Sequence, residues 1–194
     1  MSKLPDIYLA SQSPRRRELL DQIGVDYAVL AVDLDEQVKD NESAQDYVCR
    51  IALEKARAGW NRLPEGRRRP VLGADTEVVT GSGILGKPQD REHAIRMLQQ
   101  LSGRTHSVLT GVALVGATAA VQVRTSYVTF RTVTTAECAA YWDTGEPADK
   151  AGGYAIQGRA AIFISRIEGS YSGVMGLPLF ETAELLQDAG IKVL

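Results

Sequence analysis

The sequence predicts a mixed α/β fold. Short apolar runs of strand length alternate with amphipathic helical patterns in the first half of the chain, and two long β-rich segments follow near its middle. With 194 residues, of which 44% are hydrophobic and 24% charged, the chain can bury one substantial core or two small lobes that share one. We therefore expect a single domain over residues 1–194.

Four segments in the first half of the chain carry strand or helix signals. They are a strand at 6–11, a helix at 13–24, a strand at 25–34 and a helix at 43–60. The first helix places Leu19 and Leu20 on one face and meets a stop signal at Gly24. Ser43, three residues before Asp46, is typical of a helix N-cap. The chain therefore begins as an alternation of β and α elements.

The second half is richer in strands. After an exposed basic loop at 61–70, we expect a hairpin at 71–88, a helix at 90–101, long strands at 106–115 and 121–133, a helix at 135–143, a strand at 160–167 and a helix at 178–190. The sequence GSG supplies the hairpin turn, and Pro178 and Gly190 mark the ends of the last helix. The two long strands, separated by small residues, should pair antiparallel.

Composition and charge exclude several classes of function. The net charge of −2 and the aromatic content of 6% disfavour a nucleic-acid-binding module. The chain lacks a signal-peptide pattern, a membrane-length apolar run and a G-x-x-x-x-G-K-[ST] loop, so we expect a cytoplasmic protein without membrane contact and not a P-loop NTPase. Neither the cysteines nor the histidines have metal-ligand spacing. We expect Cys49 and Cys138 to be inert core residues, and His93 and His106 to be structural or surface residues.

Basic residues at the start of the first helix indicate an anion site. Ser13 suits the N-cap and a proline follows it, which places Arg15 and Arg16 in the first helical turn. A helix N-terminus already carries partial positive charge, so these cations are unfavourable there unless they hold an anion such as phosphate. The alternative is a solvated cluster that pairs partly with Glu18 and Asp21.

Several isolated charges interrupt apolar patterns. Lys55 lies on or beside the apolar face of its helix, although a lysine whose stem merely covers apolar surface would do the same. Asp75 ends an apolar run after two small residues that would allow a ligand or metal to approach, or it is simply a turn aspartate. Glu36, at the end of the second predicted strand, and Lys87, beyond the hairpin, are further candidates.

Eight motifs together resemble the Maf family of nucleotide pyrophosphatases. In order, they are LASQSPRRRELL at 9–20, DE at 35–36, ALEKA at 52–56, GADT at 73–76, GKP at 86–88, SGRTHSVLTGVAL at 102–114, DKAGGYAIQG at 149–158 and GLPL at 176–179. The resemblance covers nearly the whole chain. It implies an elongated mixed β-sheet with flanking helices, in two lobes around a deep cleft as in inosine-triphosphate pyrophosphatases, and a homodimer.

The resemblance also implies a set of site residues. Asp75 would be the catalytic carboxylate, and Glu36 would join it in holding a divalent cation, Mg²⁺ or Mn²⁺. The residues expected around the triphosphate are Ser11, Ser13, Arg15, Arg16, Lys55 and Lys87. Such a site would hydrolyse a nucleoside triphosphate to its monophosphate and pyrophosphate.

Within the family, the chain is most similar to the members that hydrolyse dTTP and UTP. Arg15, Thr76 and Gln157 match the positions associated with base choice, whereas the 7-methyl-GTP branch has Gln in place of Thr76. A Gln amide offers both a donor and an acceptor, which suits the O4 and N3–H edge of uracil or thymine. Glu77 departs from the family pattern, where an apolar residue is expected.

The resemblance as a whole implies the removal of pyrimidine nucleotides, modified ones included. The alternatives are a 7-methyl-GTP pyrophosphatase and a non-catalytic nucleotide-binding regulator of cell division.

Overall fold

A single seven-stranded mixed sheet runs through the computed structural model, which describes residues 4–193. Its strands are β1 (Ile7–Leu9), β2 (Tyr27–Val29), β3 (Val71–Thr80), β4 (Gly83–Leu85), β5 (Thr105–Val115), β6 (Ala119–Phe130) and β7 (Ile164–Glu168). The helices are α1 (Pro14–Gln22), α2 (Ala44–Arg62), α3 (Arg91–Leu101), α4 (Thr135–Trp142), α5 (Tyr171–Met175) and α6 (Leu179–Asp188). The predicted α/β class is confirmed.

The strand order is β2-β1-β3-β5-β6-β7, and β4 pairs with β3 outside this path. Strand β1 lies parallel to both β2 and β3, as expected where helices connect successive strands. Strand β4 pairs antiparallel with β3 in the predicted hairpin, and β7 pairs antiparallel with β6. The sheet is therefore mixed, and β1, at the start of the chain, forms a parallel pair on each side.

Two compact units share the chain. The first unit contains the described residues up to Asp75, Thr110–Arg124 and those from Gly176 onward, and the second contains Thr76–Leu109 and Thr125–Met175. Each unit has a buried apolar cluster of its own. Because β3, β5 and β6 each contain a boundary between the units, every one of these strands contributes residues to both.

Within the first unit, the backbone of α2 packs directly on β3 and β5 through two glycines. A Cβ atom added at Gly73 would overlap the carbonyl oxygen of Ala52 and lie 2.8 Å from the amide nitrogen of Ala56. A Cβ at Gly111 would overlap the carbonyl oxygen of Val48 in the same way. Only glycine permits this approach, because any larger residue would push the helix away from the strands.

The helix ends largely follow the predicted signals. The Ser43 hydroxyl accepts the amide N–H of Asp46 at 3.1 Å and so caps α2, and the Asp90 carboxylate caps α3. Gly24, with φ of +68°, follows the end of α1 as predicted.

No helix among residues 4–193 is long and apolar enough to span a membrane.

The structure differs from the predicted elements at three places. The second strand was expected at 25–34 but covers only Tyr27–Val29. The Leu30 N–H still donates to the Leu9 carbonyl at 2.9 Å, and Leu30 and Val32, both partly buried, pack against the core of the first unit. Glu36 therefore lies in irregular chain and not at a strand end. The strand expected at 160–167 begins as a 3₁₀ turn, and helix α5 has no counterpart among the predicted elements.

His106 lies buried in the second unit and is 4% exposed. Its Nε2 is 2.8 Å from the Tyr154 hydroxyl, and its ring packs edge to face against Phe130. Burial lowers the pKa of His106 from 6.5 to about 4, because the apolar surroundings disfavour the charged imidazolium. His106 is therefore a neutral core residue, in agreement with the first of the two predicted possibilities, a structural or a surface histidine.

The pKa of His106 makes folding stability depend on pH. The unfolded chain binds more protons than the folded chain between pH 6.5 and about 4, so the free energy of unfolding should fall as the pH drops through this window. The share due to His106 is on the order of 3 kcal/mol at most. Urea denaturation at several pH values should show that His106→Gln loses this part of the pH dependence of the unfolding free energy, whereas His93→Gln retains it. Equal pH profiles for the wild type and His106→Gln would contradict the assignment.

Candidate active site

Lys55 joins two carboxylates in the first unit. Its ammonium nitrogen lies 2.8 Å from Asp75 Oδ1 and 3.0 Å from Glu36 Oε1. The side chains of Lys55 and Asp75 are only 12% and 7% exposed, whereas that of Glu36 is 43% exposed. Three residues that the sequence predicted separately therefore form one charged cluster.

Helix α2 and strand β3 hold this cluster together. Ala52 and Ala56, which pack over Gly73, are fully buried, and Lys55 lies on the same turn of the helix. Its side chain reaches Asp75, two residues beyond Gly73 along β3. The charged end of Lys55 therefore meets two carboxylates and not bulk solvent, and its role around a triphosphate stays a prediction.

Asp75 has one carboxylate oxygen that the described residues do not satisfy. Oδ1 accepts the hydrogen bond from Lys55, whereas the buried Oδ2 has no hydrogen-bond partner in residues 4–193. A buried acceptor without a partner costs roughly 1–3 kcal/mol. Such a cost is acceptable where a bound ligand supplies the missing interaction, and Oδ2 has the capacity to accept a hydrogen bond or to contact a cation.

Asp75 and Glu36 fit a divalent cation that also binds its substrate. Residues 4–193 contain no group of three or more His, Cys, Asp or Glu side chains arranged to hold a metal. Mg²⁺ is commonly held by only one or two carboxylates together with substrate phosphates and water. The chemistry of the two carboxylates and the unsatisfied Oδ2 of Asp75 agree with this mode of binding.

Arg16 lies close to the carboxylates and is fixed by two hydrogen bonds. Its Nε donates to the carbonyl oxygen of Gly176 at 2.8 Å, and one terminal nitrogen donates to the Ser11 hydroxyl at 3.0 Å. Burial lowers the pKa of Arg16, and the negative charges of Asp75 and Glu36 act in the opposite direction. The guanidinium is therefore a partly desolvated cation in the electrostatic field of the two carboxylates.

The role of Gly176 was not predicted. Its φ of +122° is a backbone conformation that favours glycine, and the carbonyl oxygen held there accepts the Arg16 hydrogen bond. The motif GLPL at 176–179 contains this residue. Its carbonyl, however, binds a residue 160 positions earlier in the chain, and such a backbone contact leaves no pattern in the sequence.

The start of α1 has the predicted arrangement. Ser13 occupies the N-cap position without a capping hydrogen bond from its side chain, and its N–H donates to the Ser11 hydroxyl at 3.2 Å. The first turn contains Arg15 and Arg16 and no acidic residue. Backbone N–H groups at a helix start and arginine side chains both suit an oxyanion, and the phosphate site at this helix stays a prediction.

The other predicted residues belong to the second unit. Thr76 follows Asp75 along β3 and is half-buried, as is Glu77. Lys87 is exposed just beyond β4, where the neighbouring Gly86 carbonyl accepts the Gly152 N–H at 3.0 Å. Gln157 is exposed in a turn. The roles of Thr76, Lys87 and Gln157 stay predictions.

The fold and the cluster around Lys55 define a mixed α/β protein with adjoining anionic and cationic groups. Residues 6–189 match the family model described as Maf-like protein, and the chain belongs to this family. It is 61% identical over 187 residues to a dTTP/UTP pyrophosphatase of Alkalilimnicola ehrlichii, covering 95% of this chain and 93% of that one. It is 55% identical to a dTTP/UTP pyrophosphatase of Colwellia psychrerythraea, covering 95% and 88% of the two chains.

Solved structures also match, at low identity. A nucleoside-triphosphatase, dITP/XTP pyrophosphatase, of Mycobacterium abscessus superposes with a TM-score of 0.44 and 20% identity, over 66% of this chain and 74% of that one.

Removing the Lys55 charge should destabilise the first unit. Lys55→Met leaves the Asp75 and Glu36 carboxylates without their shared cation, and loss of one partner from a buried ion pair costs roughly 3–5 kcal/mol. We expect a loss in unfolding free energy near the lower figure, because Glu36 is partly exposed. Chemical denaturation measures the change.

A second substitution provides the internal control for this prediction. Asp75→Asn combined with Lys55→Met should restore part of the stability, because the uncompensated carboxylate is gone. Arg91→Met, which removes an exposed pair with Asp143, should cost less than about 1 kcal/mol. A Lys55→Met protein as stable as Arg91→Met would contradict the assignment of Lys55 to a buried charged cluster.

Proposed function

We propose that the chain is a nucleoside triphosphate pyrophosphatase that hydrolyses dTTP and UTP to the monophosphate and pyrophosphate. The observation that carries this proposal is the 61% identity, over 95% of the chain, to a relative named dTTP/UTP pyrophosphatase. The charged cluster in the first unit gives it a physical basis, since a carboxylate with an unsatisfied oxygen lies near cations suited to phosphate. Removal of unwanted pyrimidine nucleotides, modified ones included, is the corresponding cellular role.

In the proposed reaction, a water oxygen attacks the α-phosphorus as the bond to the oxygen bridging to the β-phosphorus breaks. Asp75 accepts the proton of this water through its unsatisfied Oδ2, and pyrophosphate leaves with the bridging oxygen. Lys55 holds the Asp75 carboxylate in place through Oδ1, so only one of the two oxygens is available for this step. Arg16 is fixed before the substrate binds and stabilises negative charge without further reorganisation.

A divalent cation, Mg²⁺ or Mn²⁺, belongs to this proposal. Asp75 and Glu36 would hold it, Asp75 through the water molecule whose proton its Oδ2 accepts, and when bound the cation would neutralise phosphate charge and lower the pKa of that water. Ser11, Ser13 and Arg15, at the start of α1, would bind phosphate oxygens together with Arg16, Lys55 and Lys87.

Base choice, assembly and location are also proposals. Arg15, Thr76 and Gln157 would select the pyrimidine, because a Gln amide can pair with both O4 and N3–H of uracil or thymine. The protein would act in the cytoplasm as a homodimer, a state that sedimentation velocity can test directly.

One assay tests the reaction. The purified protein, incubated with a panel of standard and modified triphosphates and Mg²⁺ or Mn²⁺, should release pyrophosphate from dTTP and UTP and little orthophosphate. Release of orthophosphate with a diphosphate product would overturn the assignment of the bond. A preference for purine triphosphates or 7-methyl-GTP would overturn the assignment of the base.

Asp75→Asn distinguishes an enzyme from a nucleotide-binding regulator. The substitution keeps the shape of the side chain but removes the proton acceptor, so turnover should fall at least 100-fold, on the order seen for loss of a general base. Binding of dTTP, measured by calorimetry, should persist. Asp143→Asn, at an exposed carboxylate, is the matched control and should leave turnover unchanged. Wild-type turnover in Asp75→Asn would contradict the catalytic role.

A further inference from the structure

In the second unit, the side chains of Tyr141 and Glu146 form hydrogen bonds to the backbone on either side of Gln157. The amide N–H of Ala155 donates to the Tyr141 hydroxyl at 3.1 Å, and the amide N–H of Arg159 donates to Glu146 Oε2 at 3.0 Å. Each of these amides is two residues from Gln157. The Tyr141 hydroxyl in turn donates to Glu146 Oε1 at 2.6 Å, so the two attachment points form one connected network.

The network leaves little freedom to the turn between its attachment points. The N–H of Gly158 donates to the carbonyl of Ala155 at 3.1 Å, and a Cβ atom at Gly158 would overlap the Glu146 carboxylate. Ile156 is 4% exposed in the core of the second unit, whereas Gln157 is exposed. Buried neighbours and backbone hydrogen bonds therefore fix the backbone from which the Gln157 side chain extends.

The two members of the pair are themselves firmly placed. Tyr141 is 4% exposed near the end of α4 and packs edge to face against Phe163. Burial and the hydrogen bond to Glu146 raise the pKa of Tyr141, so its hydroxyl remains a donor. Burial alone would raise the pKa of Glu146, but hydrogen bonds from Tyr141, Arg159 and Ala160, together with the charge of Lys150, lower it.

We propose that Tyr141 and Glu146 are positioning residues for base selection, acting through Gln157. This inference rests on the proposed function, in which Gln157 reads the pyrimidine edge. A Gln side chain has several rotatable bonds, and its amide can present donor and acceptor in either order, so it discriminates only from a fixed backbone. The Tyr141–Glu146 pair supplies that fixed backbone without reaching the base.

Substrate selectivity tests this role more directly than overall activity. Cytosine carries an amino group and an unprotonated N3 where thymine has O4 and N3–H, so the ratio of kcat/KM for dTTP to that for dCTP reports how the base is read. Tyr141→Phe and Glu146→Gln should each lower this ratio roughly tenfold, as expected from the loss of about one buried hydrogen bond. Asp143 is an exposed carboxylate that lies between Tyr141 and Glu146 in the sequence. Asp143→Asn is therefore the matched control and should keep the wild-type ratio.

A double-substitution cycle separates positioning from general destabilisation. Gln157→Ala should lower the ratio, and adding Tyr141→Phe to that protein should lower it no further, because both changes remove the same discrimination. If Tyr141 only supported the fold, both nucleotides would lose kcat/KM by the same factor and the ratio would not move. A wild-type ratio in folded Tyr141→Phe and Glu146→Gln proteins, or effects that add fully to Gln157→Ala, would overturn the inference.

Hydrogen exchange tests the network without any substrate. The amides of Ala155 and Arg159 should exchange faster in Tyr141→Phe and Glu146→Gln, respectively, than in the wild type, and unchanged exchange would overturn the structural basis of the inference. A wild-type protein that releases no pyrophosphate from dTTP or UTP would instead overturn the proposed function, together with the role of Gln157 that depends on it.

Discussion

The direct contact between helix α2 and strand β3 at Gly73 is the constraint on which the charged cluster depends. Without a side chain at Gly73, the helix backbone comes close enough for Lys55 to reach Asp75. Two chain segments distant in sequence thereby place opposite charges together in a nearly buried environment. The contact explains why a lysine lies beside the apolar face of its helix and still avoids the cost of an unpaired buried charge.

The cationic side of this cluster comes from a different part of the first unit. Helix α1 contributes Arg16, whose guanidinium is fixed by hydrogen bonds to the nearby Ser11 and to Gly176, 160 residues further along the chain. With a net charge of only −2, the chain has no strong overall field to attract a polyanion. Any phosphate binding must therefore come from a few cations placed close together, and Lys55 and Arg16 are two cations placed in this way.

The sequence predicted single residues better than it predicted their contacts. Lys55 and Asp75 stood out because each interrupts an apolar pattern, and Arg16 because its charge is unfavourable at a helix N-terminus. The pairing of Glu36 with Lys55 was not predicted, because apolar residues after Val29 suggested a longer strand. Leu30 and Val32 are instead partly buried in irregular backbone that leads to Glu36. The Tyr141–Glu146 pair was also missed, since contacts formed by loops have no periodic signal.

Substitution of Gly73 by alanine tests most directly whether the charged cluster depends on the contact between α2 and β3. Gly66→Ala is the control, because its added Cβ would meet nothing within 4 Å. The added methyl group should separate α2 from β3, lower the unfolding free energy by about 1–3 kcal/mol through overpacking, and reduce pyrophosphate release from dTTP per folded molecule. Wild-type stability and turnover in Gly73→Ala would contradict the dependence of the charged cluster on this contact.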